Sequence, residues 1–114
     1  MLIKRGDLFY VNLAPTRGSE QSGARPVLVI QNDVGNEVAP TVIVAPLTTK
    51  SFSRLYPTNV NIAKGGTAGL REDSTVLLSQ IRTIDKSRLE RRLGRLQPGL
   101  MRHVDRAIRI SLAL

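Results

Sequence analysis

The sequence predicts a mainly β domain with some helix, in the form of a small β-barrel with helices packed against it. Its apolar residues fall in short runs of strand length, and polar loops that contain Gly and Pro separate these runs. The C-terminal residues instead place apolar side chains at helical spacing. The chain has 114 residues, an ordinary length for one domain, so we expect residues 1–114 to form a single domain.

Three strands are predicted in the first half of the chain. Residues 26–31 (PVLVIQ) and 41–47 (TVIVAPL) are continuous apolar runs, which indicates strands that are buried on both faces. Residues 7–13 (DLFYVNL) alternate loosely and predict another strand. Polar segments connect these strands, namely a long loop over 14–24, a turn over 32–36 and a second loop over 48–57.

Further strands and then two helices are predicted in the second half. Residues 58–62 and 74–81 have strand patterns, and residues 82–84 continue the second of these strands after a bend. The Gly-rich segment 64–69 is predicted to be a turn between them. A short helix is expected over 86–93.

Residues typical of helix ends bound the two predicted helices, and the second helix is amphipathic. Asp85 is placed to cap the short helix, and Gly94 is placed to end it. Pro98 suits the first position of a longer C-terminal helix. Because the apolar stripe of that helix is broad, it must cover the sheet or a partner, which is compatible with a homodimer. The stripe consists of Leu100, Val104, Ala107, Ile108, Ser111 and Leu112.

The composition favours some classes of protein and excludes others. The net charge of +8 favours a polyanionic partner such as nucleic acid or an acidic protein segment. Without Cys there is no disulfide and no thiolate metal site, which fits a cytoplasmic protein. No apolar run approaches the ~18 residues of a membrane span, and the first residues lack the apolar segment of a secretory signal.

Few side chains suit acid–base or metal chemistry. His103 is the only histidine, the acidic residues lack metal-ligand spacing, and the Gly-rich turn lacks the ending of a phosphate-binding loop. We therefore expect no metal and no cofactor. Arginine and hydroxyl chemistry remains. RNA supplies its own nucleophile, the ribose 2′-hydroxyl, so an enzyme must orient that attack and stabilise the charge on the phosphate oxygens.

Arg25 and Thr48 are the best candidates for this chemistry. Each lies where a polar loop meets a predicted buried strand, and such a junction holds a side chain more rigidly than a loop tip does. The Arg25 guanidinium would bind phosphate oxygens, and the Thr48 hydroxyl would donate a further hydrogen bond. The alternatives are a surface ion pair between Arg25 and Glu20, and a Thr48 hydroxyl that caps the following loop.

An ordered set of segments resembles the MazF/PemK family of type II toxins. The set covers nearly the whole chain, and its order makes it specific, although no single segment is decisive. It consists of 5–13 (RGDLFYVNL), 18–21 (GSEQ), Arg25-Pro26 followed by VLVIQND, 40–48 (PTVIVAPLT), 56–58 (YPT), 73–86 (DSTVLLSQIRTIDK) and 110–114 (ISLAL).

The resemblance implies an SH3-like barrel, a homodimer and sequence-specific, metal-independent cleavage of single-stranded RNA. The implied products are a 2′,3′-cyclic phosphate and a 5′-hydroxyl. It assigns the catalytic roles to Arg25 and Thr48, and it implies an antitoxin whose acidic, flexible tail blocks the RNA groove. The positions that we predict to bind RNA are Ser19, Glu20, Gln21, Thr49, Tyr56, Asn59 and Gln80.

The chain departs from the family pattern at two of these positions. Tyr56 stands where relatives tend to have an aliphatic residue, and it either stacks on a base or covers the edge of the core. Asn59 lies where relatives vary, so the RNA sequence that is cut stays open. The basic residues of 88–109 lie in the predicted helices, where we favour a solvated face slightly over an RNA contact.

Two other functions are alternatives for a small basic barrel of this kind. A gyrase poison of the same fold would end in Trp-Gly-Ile, whereas this chain ends in Ser-Leu-Ala-Leu and has no Trp. A non-catalytic RNA-binding barrel would bind RNA and cleave nothing. Cleavage of RNA separates the enzyme from both alternatives.

Overall fold

The computed structural model describes residues 2–21 and 23–114, and in these ranges the chain forms seven strands and two α-helices. The mainly β character predicted from the sequence is confirmed. Short 3-10 turns lie at Gly66–Ala68, Leu78–Gln80 and Lys86–Arg88. The strands and helices are β1 (Asp7–Asn12), β2 (Ala24–Val29), α1 (Asp33–Val38), β3 (Thr41–Thr48), β4 (Asn59–Ile62), β5 (Ser74–Leu77), β6 (Arg82–Asp85), β7 (Leu89–Arg95) and α2 (Pro98–Leu112).

The strands join in one antiparallel sheet. Its hydrogen-bonded order is β4-β5-β3-β2-β1-β7, and β6 also pairs with β3. β5 and β6 pair with successive parts of β3, and the 3-10 turn Leu78–Gln80 separates them. The strand predicted over 74–81 therefore ends at Leu77, and the chain resumes strand geometry at Arg82.

The sheet is not closed into the barrel that the sequence predicted. Its order ends at β4 and β7, and no ladder joins these two strands in the described part of the chain. β4 has only four residues, and β7 pairs with β1 through two register shifts. Neither end strand therefore offers a long, regular edge to the other.

Two apolar clusters cover the two faces of the sheet. Side chains along β2 alternate between them, because Val27 and Val29 belong to one cluster and Leu28 to the other. The cluster of Leu28 also contains Val104 and Ala107 from α2. Burial on both faces explains why β2 and β3 appear in the sequence as continuous apolar runs.

α2 confirms the predicted C-terminal amphipathic helix. Pro98 lies in its first turn, and Val104 and Ala107 are buried against the sheet. The Ser111 hydroxyl donates a hydrogen bond to the Leu78 carbonyl at 2.7 Å, which ties the end of the helix to the turn after β5. Over residues 2–21 and 23–114, no helix has the length and apolar character needed to cross a membrane.

The predicted helix over 86–93 is wrong, because most of this segment forms β7. Only the 3-10 turn Lys86–Arg88 has helical geometry there. The fully buried Asp7 carboxylate holds β7 in the sheet by accepting hydrogen bonds from Arg92 at 3.0 Å and Arg95 at 3.1 Å. An ion pair to a residue so distant in the sequence overrides the local helical pattern.

Gly94 allows close packing of two segments and does not end a helix. A Cβ atom on Gly94 would lie 2.2 Å from the Thr67 carbonyl oxygen. A Cβ atom on Gly69 would lie 2.1 Å from the Leu93 carbonyl oxygen. The two glycines therefore let β7 and the turn before β5, which comprises residues 66–69, meet backbone to backbone.

The turn predicted over 32–36 instead contains most of the short helix α1. Asn32 caps this helix by accepting a hydrogen bond from the Gly35 N–H at 2.8 Å. Asn, Asp and Gly occur both in turns and at helix ends, which is why the local pattern indicated a turn.

Candidate active site

Arg25 lies near the start of β2 and is half-buried. Val11 of β1 pairs with it on one edge of β2. Its Nη1 donates a hydrogen bond to the Leu47 carbonyl of β3 at 3.1 Å. This bond directs the guanidinium towards the neighbouring strand, and the ring of Pro26 restricts the backbone directly after it.

Thr48 is the last residue of β3, and the register of the sheet brings it level with Arg25. In the β2–β3 ladder Val27 pairs with Pro46. The same register, carried two residues further, places Thr48 opposite Arg25. On its other edge Thr48 pairs with Thr75 of β5.

A row of polar side chains therefore crosses four strands. It runs from Arg25 through Thr48 and Thr75 to Asn61 of β4, which pairs with Thr75. The Thr75 hydroxyl donates a hydrogen bond to Asn61 Oδ1 at 2.9 Å. The Thr48 hydroxyl oxygen accepts the Lys50 N–H at 3.2 Å, which leaves the hydroxyl its own proton to donate.

Arg25 and Thr48 line one open groove of about 620 Å³. Three guanidinium groups and one carboxylate line it, and the surplus of cations makes the groove electropositive. The arrangement suits a phosphodiester, since guanidinium groups match the geometry of phosphate oxygens. The other polar residues of the lining are Tyr10, Thr49, Arg71, Glu72, Ser74 and Arg91.

A second groove, of about 650 Å³, contains the aromatic side chains of the loop between β3 and β4. The Phe52 and Tyr56 rings meet edge to face with 6.0 Å between their centroids. Lys50 lies 5.8 Å from the Phe52 ring, and Arg54 lies 6.0 Å from the Tyr56 ring. Partly exposed aromatic rings with adjacent cations are typical of surfaces on which nucleic-acid bases stack.

The loop residues 19–21 line a separate hollow of about 380 Å³. The side-chain amide of Gln80 holds this loop through both its oxygen and its nitrogen. Its Oε1 accepts the Gln21 N–H at 2.7 Å, and its Nε2 donates to the Ser19 carbonyl at 3.3 Å. Gln80 therefore positions the loop, a role that the sequence did not indicate.

The structure distributes the predicted site residues among these three depressions. β3 contributes Pro46 to the hollow and Leu47 to the first groove. Arg25 and Thr48 line the first groove, Tyr56 and Asn59 line the second, and Thr49 lines both. The hollow is lined by Ser19, Glu20, Gln21 and Gln80.

Sequence reasoning missed several residues of these depressions. Asn61 could have been found, because the alternation of residues 58–62 places it on the polar face of its strand. Arg91 could not, because it was assigned to a helix and reaches the groove only as part of β7. The missed residues are Phe52, Asn61, Arg71, Thr75 and Arg91.

Asp33 and Asp85, whose pKa values are lowered, lie outside the three depressions. Hydrogen bonds from the Arg5 N–H and then from the Asn36 side chain lower the pKa of Asp33. Hydrogen bonds from Ser87 lower the pKa of Asp85. Within the described ranges, no three His, Cys, Asp or Glu side chains come together in a group that could hold a metal ion.

Fold and site together define a small basic β-sheet protein with a groove that is lined by a guanidinium and a hydroxyl from two central strands. The chain belongs to the PemK-like, MazF-like toxins of type II toxin–antitoxin systems, whose family model matches residues 4–112. The family indicated by the sequence is therefore confirmed.

Individual relatives match along almost their entire length. The chain is 50% identical over 114 residues to the endoribonuclease EndoA of Bacillus subtilis (strain 168), with 100% of this chain and 97% of that protein covered. An endoribonuclease from a mycobacterial species, solved with its cognate antitoxin, has a TM-score of 0.77 and 26% identity over 99% of this chain and 95% of that one. MazF from Deinococcus radiodurans has a TM-score of 0.83 at 24% identity, covers 100% of this chain and 99% of its own, and shows the likeness of fold.

Proposed function

We propose that the protein is an endoribonuclease toxin that cuts single-stranded RNA at short sequences without a metal ion. The observation that carries this proposal is the alignment of Arg25 and Thr48 on neighbouring strands of one basic groove. The 50% identity to an endoribonuclease supports the same chemistry.

The reaction follows from what RNA brings and what the groove offers. The ribose 2′-oxygen attacks the adjacent phosphorus as its hydroxyl proton leaves. The bond from phosphorus to the 5′-oxygen breaks, and that oxygen gains a proton. The products are a 2′,3′-cyclic phosphate and a 5′-hydroxyl. The proton lost by the 2′-oxygen balances the one gained by the 5′-oxygen, and no covalent bond forms between the RNA and the enzyme.

Arg25 and Thr48 act on the phosphate oxygens during this attack. Negative charge gathers on the non-bridging oxygens, and preorganised donors stabilise it more than they stabilise the ground state. The Arg25 guanidinium, which is held by the Leu47 carbonyl, supplies charge-assisted hydrogen bonds. The Thr48 hydroxyl supplies a further hydrogen bond from the adjacent strand.

Recognition of the RNA sequence belongs to the two other depressions. Tyr56, supported by Phe52, offers a ring on which an unstacked base lies. Thr49 and Asn59 offer polar groups beside that ring. In the hollow, the loop 19–21 and Gln80 provide hydrogen-bonding groups for a second base.

The proposal includes two protein partners. An acidic, flexible segment of an antitoxin competes with RNA for the cations of the grooves, in keeping with the net charge of +8. The mycobacterial endoribonuclease solved with its cognate antitoxin is a precedent for such a complex. A second copy of the chain covers the exposed apolar residues at the end of α2 and directly after it, Ile110, Leu112 and Leu114.

Cleavage of a long RNA by the purified protein in EDTA, with the ends mapped, tests the proposal. We expect discrete cuts at a short motif, with 5′-hydroxyl ends. RNA that stays intact both in EDTA and with added Mg²⁺ would reject the endoribonuclease. RNA that the protein retards in a native gel but does not cut would favour a non-catalytic RNA-binding protein. Cutting that is lost only in EDTA would reject the metal-free mechanism.

A further inference from the structure

We propose that Arg91 and Arg71 form a second phosphate-binding position in the groove of Arg25, which holds the RNA backbone next to the cleaved bond. This inference rests on the proposed function and extends it, because it assigns a binding role to two residues outside the catalytic pair. Both side chains line the same groove as Arg25 and Thr48.

Arg91 is positioned by an aromatic ring at the edge of the groove. It pairs with Tyr10 across the β1–β7 ladder, and its guanidinium carbon lies 5.4 Å from the centre of the Tyr10 ring. Tyr10 pairs on its other edge with Pro26, the residue after Arg25. Arg91 and Arg25 therefore stand on either side of β1, with strand backbones about 10 Å apart, since neighbouring strands lie ~4.8 Å apart.

Arg91 has no carboxylate partner in the described ranges, in contrast to two other arginines of β7. Arg92 and Arg95 of the same strand bind the buried Asp7 carboxylate. Arg91 is exposed and forms no ion pair with any residue of the ranges 2–21 and 23–114. A guanidinium that is held in place by a ring and has no carboxylate partner suits a phosphate.

Arg71 reaches the same wall of the groove from just after the turn before β5. The turn packs directly on β7, because the Gly69 backbone meets the Leu93 carbonyl. Arg71 likewise has no ion pair within the described ranges. The single carboxylate of the lining, Glu72, lies beside it, so the three guanidinium groups keep a positive surplus.

The experiment measures binding of a fluorescent, random-sequence single-stranded RNA whose riboses are 2′-O-methylated, so that the RNA cannot be cleaved. The dissociation constant is measured over a series of salt concentrations for Arg91→Ala, Arg71→Ala and the double variant. Arg106→Ala is the matched control, because it removes the same charge from the exposed face of α2. Circular dichroism confirms that each variant is folded.

We expect each groove variant to bind roughly threefold to tenfold more weakly at low salt than the control does. The slope of log affinity against log salt should fall by about 0.7 for each lost phosphate contact on a single strand. Arg91→Lys keeps the charge and should restore the slope. On cleavable RNA, Arg91→Ala should raise KM and change kcat little.

Groove variants that bind with the affinity and salt slope of Arg106→Ala would overturn the inference, as would a wild-type protein that does not bind the RNA. Failure of the proposed function has a different readout, which is intact unmodified RNA after incubation with wild-type protein. A wild-type protein that binds but never cuts would reject the endoribonuclease, while reduced slopes for Arg91→Ala and Arg71→Ala would still support the second phosphate position.

Discussion

At the residue scale, the proposed chemistry depends on how one guanidinium is held. A guanidinium has its N–H donors in one rigid plane, so a single bond to a strand carbonyl orients the whole group. For Arg25 that bond goes to Leu47, the residue before Thr48. The carbonyl that orients the cation and the hydroxyl that assists it are thus neighbours on one strand.

Arg25→Ala should lower the rate of RNA cleavage by at least ~100-fold, the scale of losing one donor to the transition state. The fold should survive, because Arg25 is half-exposed at the start of a strand. Single-turnover cleavage of the mapped substrate measures the effect, with Arg106→Ala as the charge-matched control. Near-normal cleavage by Arg25→Ala would remove this residue from the mechanism.

Thr48→Val should lower cleavage by roughly tenfold to 100-fold, because it removes a hydrogen bond to a charged group worth about 1.5–3 kcal/mol. Thr48→Ser keeps the hydroxyl and should retain most of the activity. The comparison is made at saturating RNA, so that it reports on chemistry. Equal rates for the Val and Ser variants would show that the hydroxyl has no role.

Asp33 should make a small, pH-dependent contribution to stability. Its pKa is lowered below the usual 3.8, mainly by the hydrogen bond from the Arg5 N–H. The contribution is therefore present at neutral pH and is lost as the pH falls through the lowered pKa of the folded state. Acid unfolding of Asp33→Ala should show a flatter pH dependence than that of Glu37→Ala, an exposed control on the same helix. If both variants lose stability identically as the pH falls, the proposed contribution of Asp33 is contradicted.

At the element scale, the contact between β7 and the turn before β5 has no room for a side chain. Gly94→Ala would place a Cβ atom 2.2 Å from a backbone oxygen, and backbone yields less easily than a side chain does. We expect a loss of about 3 kcal/mol in the free energy of unfolding, at the upper end of overpacking effects. Denaturant unfolding measures it.

Gly99→Ala is the control for this prediction. Its nearest neighbour would be the flexible Arg102 side chain, at 3.6 Å, and the site lies in a helix. That variant should be neutral or slightly stabilising. A Gly94→Ala protein as stable as Gly99→Ala would mean that β7 can move away from the turn at little cost.

The sequence predicted the elements whose shape is set by their own residues. The apolar runs of β2 and β3 and the apolar stripe of α2 were sufficient, because each pattern reports directly on burial. β7 was not predictable in this way, because its place in the sheet depends on Asp7, far away in the chain. The closed barrel was expected from strand number, but closure depends on how the end strands align.

The candidate site was predictable to a similar extent. Arg25 and Thr48 could be selected as residues at the junctions of loops and strands, and the family pattern then supported both. That they stand opposite each other depends on the register of β2 and β3, which the sequence does not specify. For the same reason Thr75 and Arg91, which enter the site through strand pairing, were missed.

At the scale of the whole molecule, the exposed apolar end of α2 predicts association. Ile110, Leu112 and Leu114 are 48%, 54% and 84% exposed. Light scattering should give twice the 12.5 kDa mass of the chain. Ile110→Asp should shift the protein towards the monomer, whereas Val38→Asp, at an equally apolar but separate site, should not. A wild-type monomer at all concentrations would reject the homodimer.

The three depressions are formed by different parts of the chain. The groove of Arg25 and Thr48, the proposed catalytic pair, lies on central strands, the aromatic groove on the loop after β3, and the hollow on a loop that Gln80 holds. Substitutions can therefore accumulate in either loop without disturbing the strands that hold Arg25 and Thr48. On the proposed function, the RNA sequence that is recognised can therefore change while the way of cutting it is inherited unchanged.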